Sequence, residues 1–207
     1  MKHNGFEYVD LGLPSGTKWA KCNVGANSET DYGLYFAWGE NKGYNSPNGA
    51  KTFDRRNYKF SNTSFFSYFT KYNSTDGKAV LDLCDDAAHI HMGGKWHMPS
   101  NEQIKELITN TENTFVTNYN YSGVNGRLLT SNINGNQLFF PACGVIFAED
   151  YYGFNYSGNL WSNSVGDDCR NDCGRYLWFG TDSIGIGNRN RACGLCVRGV
   201  FNTFWIK

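Results

Sequence analysis

Phe6-Glu7-Tyr8-Val9-Asp10-Leu11-Gly12-Leu13-Pro14-Ser15-Gly16-Thr17-Lys18-Trp19-Ala20, continued by Cys22-Asn23-Val24-Gly25-Ala26, is the stretch whose reading decides the fold. Residues 6–10 alternate with the period of two that sends successive side chains to opposite faces of a strand. Leu13-Pro14-Ser15-Gly16 reads as a turn, because Pro presets its own φ and Gly accepts a positive one. Residues 18–24 then alternate again. The chain therefore opens with short strands and tight turns, and no helical period is present. Leu34-Tyr35-Phe36-Ala37-Trp38 follows as an apolar run closed by Gly39.

Working outward, residues 41–75 are polar and aromatic with little period and read as a long irregular insert, a kind of segment that is either functional or mobile. Two helices are expected next. One spans about 78–92, with Val80, Leu81, Cys84, Ala87 and Ala88 on one stripe, and stops at Gly93-Gly94. On it, Asp82, Asp85 and Asp86 read as a solvated face with some N-terminal dipole stabilisation. The second begins at Ser100, where Ser100-x-x-Gln103 has the form of a capping box. Ile104, Leu107 and Ile108 make its buried stripe, and it frays at Thr109-Asn110. From Phe115 onward the pattern is of strands. Asn125-Gly126 and Asn134-Gly135 are tight-turn signals, and the second joins 127–130 to 137–140 as a hairpin. Further strands are expected at 143–147, 159–162, 175–179 and 194–200. Strands, two helices and more strands define an α+β chain.

The bulk numbers agree with one domain spanning 1–207. The 207 residues are 40% hydrophobic, enough for a core. Charged residues are only 18% and the formal net charge is zero, so the basic excess that a nucleic-acid partner demands is missing. There are 24 Gly and 16% aromatics, which suits a loop-rich domain and resembles the make-up of binding surfaces. No run of 18 apolar residues is present, so no membrane insertion is expected. The start, MKHNGFEYVDLG, lacks the apolar run of a secretory signal; the protein leaves its cell by another route or the chain is an excised domain. Seven cysteines, an odd number, exclude a fully paired framework within one chain.

The opening stretch, with Tyr35-Phe36-Ala37-Trp38-Gly39-Glu40, Asp86-Ala87-Ala88, Gly94-Lys95-Trp96-His97-Met98-Pro99-Ser100, Phe140-Pro141-Ala142, Leu160-Trp161-Ser162, Tyr176-Leu177-Trp178-Phe179 and Val197-Arg198, resembles the Fibrobacter major paralogous domain. That family is widespread in gut Bacteroidetes and their phages. The likeness covers nearly the whole chain except the insert. It implies a C-type-lectin-like fold of the formylglycine-generating-enzyme type, with two helices, short antiparallel strands and long irregular loops. Some relatives are variable proteins of diversity-generating retroelements, in which template Asn codons are rewritten so that one scaffold displays many binding surfaces. Residues 165–179 and 186–196 read like such a product, and Trp178 departs from it, since Trp is not the usual outcome of an Asn template codon.

Several constellations compete with that reading. Cys169-x3-Cys173 and Cys193-x2-Cys196 offer four thiolates, as structural zinc takes. Cys193 and Cys196 point to opposite faces of a regular strand, which disfavours joint ligation unless a turn lies at Gly194. A disulfide within the group is an alternative, and free thiols are the leading reading. The enzymes of this fold type use a C-terminal cysteine pair with copper, but Cys193 and Cys196 are spaced too closely and the rest of that signature is missing. His89 and His91, two apart on a helix, point about 200 degrees apart and cannot share an ion; with His97 they read as surface and loop histidines. Asp167, Asp168, Asn171 and Asp172 bear oxygen ligands of the kind calcium takes, yet the motifs of calcium-dependent lectins are absent, and they read as solvated loop residues. Arg198 is expected to be structural, and Trp19, Trp38, Trp96 and Trp161 to fill the core. Tyr176, Trp178 and Leu195 are expected to face away from it, beside Arg170, Arg175, Arg189 and Arg191, a composition typical of binding hot spots.

The expectation is a one-domain α+β, C-type-lectin-like protein with no catalytic residues, metal or other cofactor. Its variable region at about 160–200 binds a macromolecular receptor, protein or glycan, on a cell surface. The ligand-binding set is Asn163, Asp168, Cys169, Arg170, Asn171, Asp172, Tyr176, Trp178, Asn188, Arg189, Asn190, Arg191, Cys193 and Leu195. The context is an extracellular, cell-surface or virion adhesin, including phage receptor binding, and homo-oligomerisation is allowed. The alternatives are a metal-dependent thiol enzyme of the formylglycine-generating type and a structural decoration with no ligand. Changing Tyr176, Trp178 and Arg191 together to Ala is expected to abolish binding with the Tm nearly unchanged.

Overall fold

The computed structural model describes residues 1–45, 51–62, 69–167 and 172–203. The element order is β1 (Lys2–His3), β2 (Phe6–Val9), β3 (Thr17–Ala20), β4 (Tyr35–Phe36), α1 (Ala87–Met92), α2 (Asn101–Thr109), β5 (Thr111–Val116), β6 (Gly126–Ser131), β7 (Gln137–Pro141), β8 (Val145–Phe147), β9 (Asp150–Tyr152), β10 (Gly158–Val165), β11 (Cys173–Phe179), β12 (Ile184–Asn190), β13 (Leu195–Cys196) and β14 (Val200–Asn202). Strand, at 37%, outweighs helix, at 11%, and the chain is of the α+β class.

The decisive stretch folds as its pattern requires. Gly16 N–H donates to Leu13 O at 2.8 Å and Gly16 has φ +74°, so the turn closes and β2 meets β3 with Val9 opposite Trp19. β14 pairs on the other edge of β3, placing Val200 opposite Trp19 and giving the order β1-β2-β3-β14. A second sheet, β12-β11-β10-β13-β4, is antiparallel except where β13 runs parallel to β10. β5-β6-β7 form a third and β8-β9 a two-stranded hairpin. Trp19, Trp38, Trp96 and Trp161 are all essentially fully buried, as expected. Trp38 Nε1 donates to Ser162 O and Trp161 Nε1 to Phe36 O, each at 2.8 Å, which pins both indoles to the larger sheet.

The capping box at α2 is present in both directions, with Ser100 Oγ accepting from Gln103 N–H and Gln103 Oε1 from Ser100 N–H. Ile104 and Leu107 are fully buried beneath it. The hairpin expected around Asn134-Gly135 is β6–β7, with Thr130 opposite Gln137. Asn125-Gly126, in contrast, is no turn. Gly126 is the first residue of β6, and a Cβ there would collide with Phe140 O and the Phe139 ring, so the glycine serves close packing.

The first helix is shorter than its stripe suggests. Only 87–92 is helical, preceded by a 3₁₀ turn at Leu83–Asp85. Residues 79–81 are drawn out along β10 instead: Leu81 N–H donates to Asn163 O and Val165 N–H to Ala79 O. Val80 is consequently exposed and Cys84 lies at the surface. The acids are not a solvated helix face either. Asp86 is buried as the N-cap of α1, accepting from His89 N–H at 2.9 Å and from Met98 N–H at 2.8 Å. Asp85 is buried between Lys59 Nζ (2.7 Å), Lys71 Nζ (2.5 Å) and the Tyr72 hydroxyl (2.6 Å). α1 does end at Gly93, with φ +64°.

The described part of the 41–75 segment is irregular but neither a free loop nor an outlying one. It sends Phe53, Tyr58, Phe60, Phe69 and Tyr72 into the core. Tyr72 meets Trp38 edge-on at 5.2 Å, and Tyr58 donates its hydroxyl proton to Trp38 O at 2.8 Å. The run 194–200 is likewise not one strand. It divides into β13 and β14, in different sheets, around fully buried Arg198. The Arg198 guanidinium donates to Asn23 Oδ1 (2.7 Å), to Ala20 O (3.1 Å), to Lys21 O and to Phe139 O (3.2 Å), and so ties three segments together, as a structural arginine.

Candidate functional site: a face of the larger sheet

β11 and β12 pair in unbroken register, with Trp178 opposite Gly185, Tyr176 opposite Gly187 and Gly174 opposite Arg189. Directly paired residues share a face, so these six lie together on one side of the sheet. The glycines decide what the rings do there. A Cβ on Gly187 would sit 2.7 Å from the Tyr176 ring, and one on Gly185 3.2 Å from the Trp178 indole. The two rings thus lie over bare backbone on β12. The Arg189 guanidinium lies 5.5 Å from the Tyr176 ring centroid, in cation–π range. Trp161 closes the inner end of the row, edge-on to Tyr176 at 6.3 Å.

This row forms one wall of an open cavity of about 640 Å³. The opposite wall is the β8–β9 hairpin, with Val145, Phe147 and Tyr152, and Ser157 and Asn159 add polar groups at the base. Asn159 is committed elsewhere through its Nδ2, which donates to Gly144 O at 3.0 Å. Arg189 is the only charged side chain among the lining residues. Its Nε is buried with no hydrogen-bond partner, so the stacking over Tyr176 is what holds the guanidinium.

The expected ligand-binding set divides sharply. Tyr176, Trp178 and Arg189 meet in the cavity. Leu195, expected on the outer face, is instead fully buried in β13, in register with Phe36. Cys193 is buried as well. Arg191 is the largest departure: it is 0% exposed, with its guanidinium 4.6 Å from the Trp38 ring centroid, and donates to Tyr72 O at 2.8 Å and Cys173 O at 3.1 Å. Its alternation with Asn190 and Arg189 ends at the β12 terminus, where the chain turns inward. Asn190 Oδ1 accepts from Ala192 N–H at 3.0 Å and caps that turn. Asn188 lies opposite Arg175, off the cavity face, with its Oδ1 buried and unpartnered. Asn163 is half-buried against Pro99 and Leu81 through its backbone. Asp172 pairs with Arg55, and Arg175 with Asp167, which leaves those acids engaged. Asp168, Cys169, Arg170 and Asn171 lie outside the described residues.

Sequence reasoning missed the second wall. Phe147, Tyr151, Tyr152, Phe154 and Tyr156 are all substantially exposed within ten residues, and the cluster of aromatics beside Gly153 was the available signal. It also missed β12, because Ile184-Gly185-Ile186-Gly187 reads as a loop until its glycines are seen beneath two rings.

Among the described residues Cys173, Cys193 and Cys196 do not come together as a metal site, and Cys169 lies outside the described residues. Cys173 is disulfide-bonded, against the free-thiol reading, whereas Cys193 and Cys196 are free, as expected, and buried. Cys196 donates to Tyr32 O at 3.2 Å and lies beside Cys143, and burial pushes its thiol well above the ordinary range. Burial also pushes the Cys193 thiol up, to about 11. The histidines make local bonds: His89 Nδ1 with Trp96 O, His91 Nε2 with Asn41 O, and His97 Nδ1 with Met98 O. Asp82, Cys84 and Asp85 lie close together, but Lys59, Lys71 and Lys78 neutralise the two carboxylates. Among the described residues no helix is long and apolar enough to cross a membrane. Comparison with protein-family models, curated proteins and solved structures returned no match.

Proposed function

We propose that this chain is a ligand-binding display protein of C-type-lectin-like fold, and that the cavity between β11–β12 and the β8–β9 hairpin holds a macromolecular receptor without covalent chemistry. The observation that carries the reading is the row Trp178–Tyr176–Arg189. Two rings lie over glycines with their other faces toward an open cavity, and a cation lies beside them. Rings fixed in advance lose little entropy on binding, so their contact area is turned into affinity more fully than that of a mobile surface. The resemblance to the Fibrobacter major paralogous domain supports the same conclusion from a different direction. What that resemblance implies is a protein outside the cell, on a cell surface or a virion, serving as an adhesin, in some relatives with a C-terminal segment rewritten by a retroelement. The irregular 41–75 segment, the two helices and the short antiparallel strands are in keeping with the fold that resemblance implies.

The test is an array of glycans and bacterial surface proteins probed with the full chain, Trp178→Ala and Arg189→Ala. Both variants should lose the ligand that the wild type captures while remaining folded; each position is half-buried on one face of the sheet, so a stability loss of about 1–2 kcal/mol is expected and is checked by the Tm. Retention of the ligand by both variants would refute the assignment of the site.

A further inference from the structure

We infer that the ligand of this cavity is an acidic saccharide, a pyranose carrying a carboxylate; this rests on the proposed binding site and narrows it to one chemical class. Three features of the cavity carry the inference. The first is shape. Trp178 and Tyr176 lie over Gly185 and Gly187 and form a flat wall rather than a closed slot, and a pyranose presents a flat face of C–H groups to such a wall. An apolar peptide side chain would be held better by a pocket that surrounds it.

The second is charge. Arg189 is the one charged lining residue, and no carboxylate pairs with it among the described residues. Among the described residues, the other arginines of this region are engaged: Arg175 with Asp167, Arg55 with Asp172, and Arg191 with backbone carbonyls in the core. A guanidinium held by stacking keeps its donors for a planar anion, and a carboxylate is the planar anion that a sugar ring carries. The third is the polar base of the cavity. Ser157 and Asn159 lie beside the aromatic wall with their donors turned to the backbone, Ser157 Oγ to Gly153 O at 3.2 Å and Asn159 Nδ2 to Gly144 O at 3.0 Å, so what this base offers sugar hydroxyls is acceptor oxygen, that of Ser157 foremost. The distance from Arg189 along the row to Trp178 spans two paired positions on β12, so ring and carboxylate are read by different residues.

The test uses the full chain with methyl β-D-glucuronide and N-acetylneuraminic acid as probes. Methyl β-D-glucoside serves as the neutral control and an acetylated Asp-Glu peptide as the acidic non-sugar control, each titrated by calorimetry or ligand-observed NMR. At least one acidic sugar should bind, and the neutral sugar should bind about tenfold or more weakly, the ratio one charge-assisted hydrogen-bonded pair supplies. Arg189→Gln should bring the acidic sugar down to the level of the neutral one, and Trp178→Ala should weaken both. Equal binding of neutral and acidic sugars, with loss in Trp178→Ala, would overturn the charge argument and leave the binding site standing. Binding of the acidic peptide in preference to the sugars would overturn the saccharide assignment alone. No binding of any probe, together with an array ligand that Trp178→Ala abolishes, would do the same. An empty array would remove the binding site itself.

Discussion

Replacing Arg191 tests whether the C-terminal segment is divided between scaffold and surface as described. Its sequence neighbours suggest an exposed contact residue, yet its side chain is sealed between Trp38 and the 41–75 segment. Arg191→Ala leaves Tyr72 O without its side-chain donor, at about 1–3 kcal/mol, takes from Cys173 O one of two donors (Gly166 N–H remains) at about 1 kcal/mol, and removes a desolvated cation–π contact with Trp38 worth about 1–2 kcal/mol. Since the guanidinium already bears a desolvation cost, part of this is recovered, and the net loss should be about 3–5 kcal/mol. For a chain of this length that lowers the Tm by about 10 °C. Arg191→Met separates the causes. It restores much of the packing volume but none of the hydrogen bonds, so it should remain well below the wild type. Urea unfolding followed by circular dichroism measures both. A loss under about 1 kcal/mol in Arg191→Ala would refute the reasoning and return Arg191 to the surface. The triple change of Tyr176, Trp178 and Arg191 therefore confounds folding with binding, and only the first two positions suit a binding test.

Two further predictions concern buried titratable groups. Burial raises the Asp85 carboxyl, but the bonds from Lys59, Lys71 and Tyr72 outweigh it and hold the group below the usual carboxylate range. A depressed folded pKa gives stability that is complete above the unfolded value, about 3.9, and is lost as pH falls through the folded one. Stability measured by urea unfolding should thus fall steeply below about pH 4 in the wild type and less steeply in Asp85→Asn; parallel acid limbs would contradict this. Iodoacetamide on the native protein should label Cys84 first and Cys22 slowly, because burial raises the Cys22 thiol. Cys143, Cys193 and Cys196 should react only after unfolding, and peptide mass spectrometry showing early labelling of Cys196 would contradict its burial.

The legible parts of this chain were those set by local chemistry. The Pro14-to-Gly16 turn, the Ser100 capping box and the β6–β7 hairpin each depend on a few adjacent residues, so spacing alone exposes them. What was illegible depended on distant partners. Residues 78–82 have helical spacing, yet β10 draws 79–81 into bridges, and Asp85 finds two lysines contributed by the irregular segment. Alternation placed Leu195 and Arg191 outside because it assumes that strands continue. β12 ends at Asn190, and the following strand, β13, lies inside the sheet between β10 and β4. Tyr176 and Trp178 do share one face of β11 and line the cavity, since the strand continues through them, whereas the hairpin opposite was missed because contact between the two walls is a property of the fold alone.

The central claim is that the cavity face reads the ligand while the inner positions of the same segment hold the scaffold. Sequencing the 3′ end of this gene across its source population tests that most directly. The account predicts substitutions at cavity positions such as Tyr176 and Arg189, with Arg191, Cys193, Leu195 and Cys196 constant. Substitution at Arg191 and Leu195 as frequent as at Arg189, or a segment that never varies at all, would contradict it.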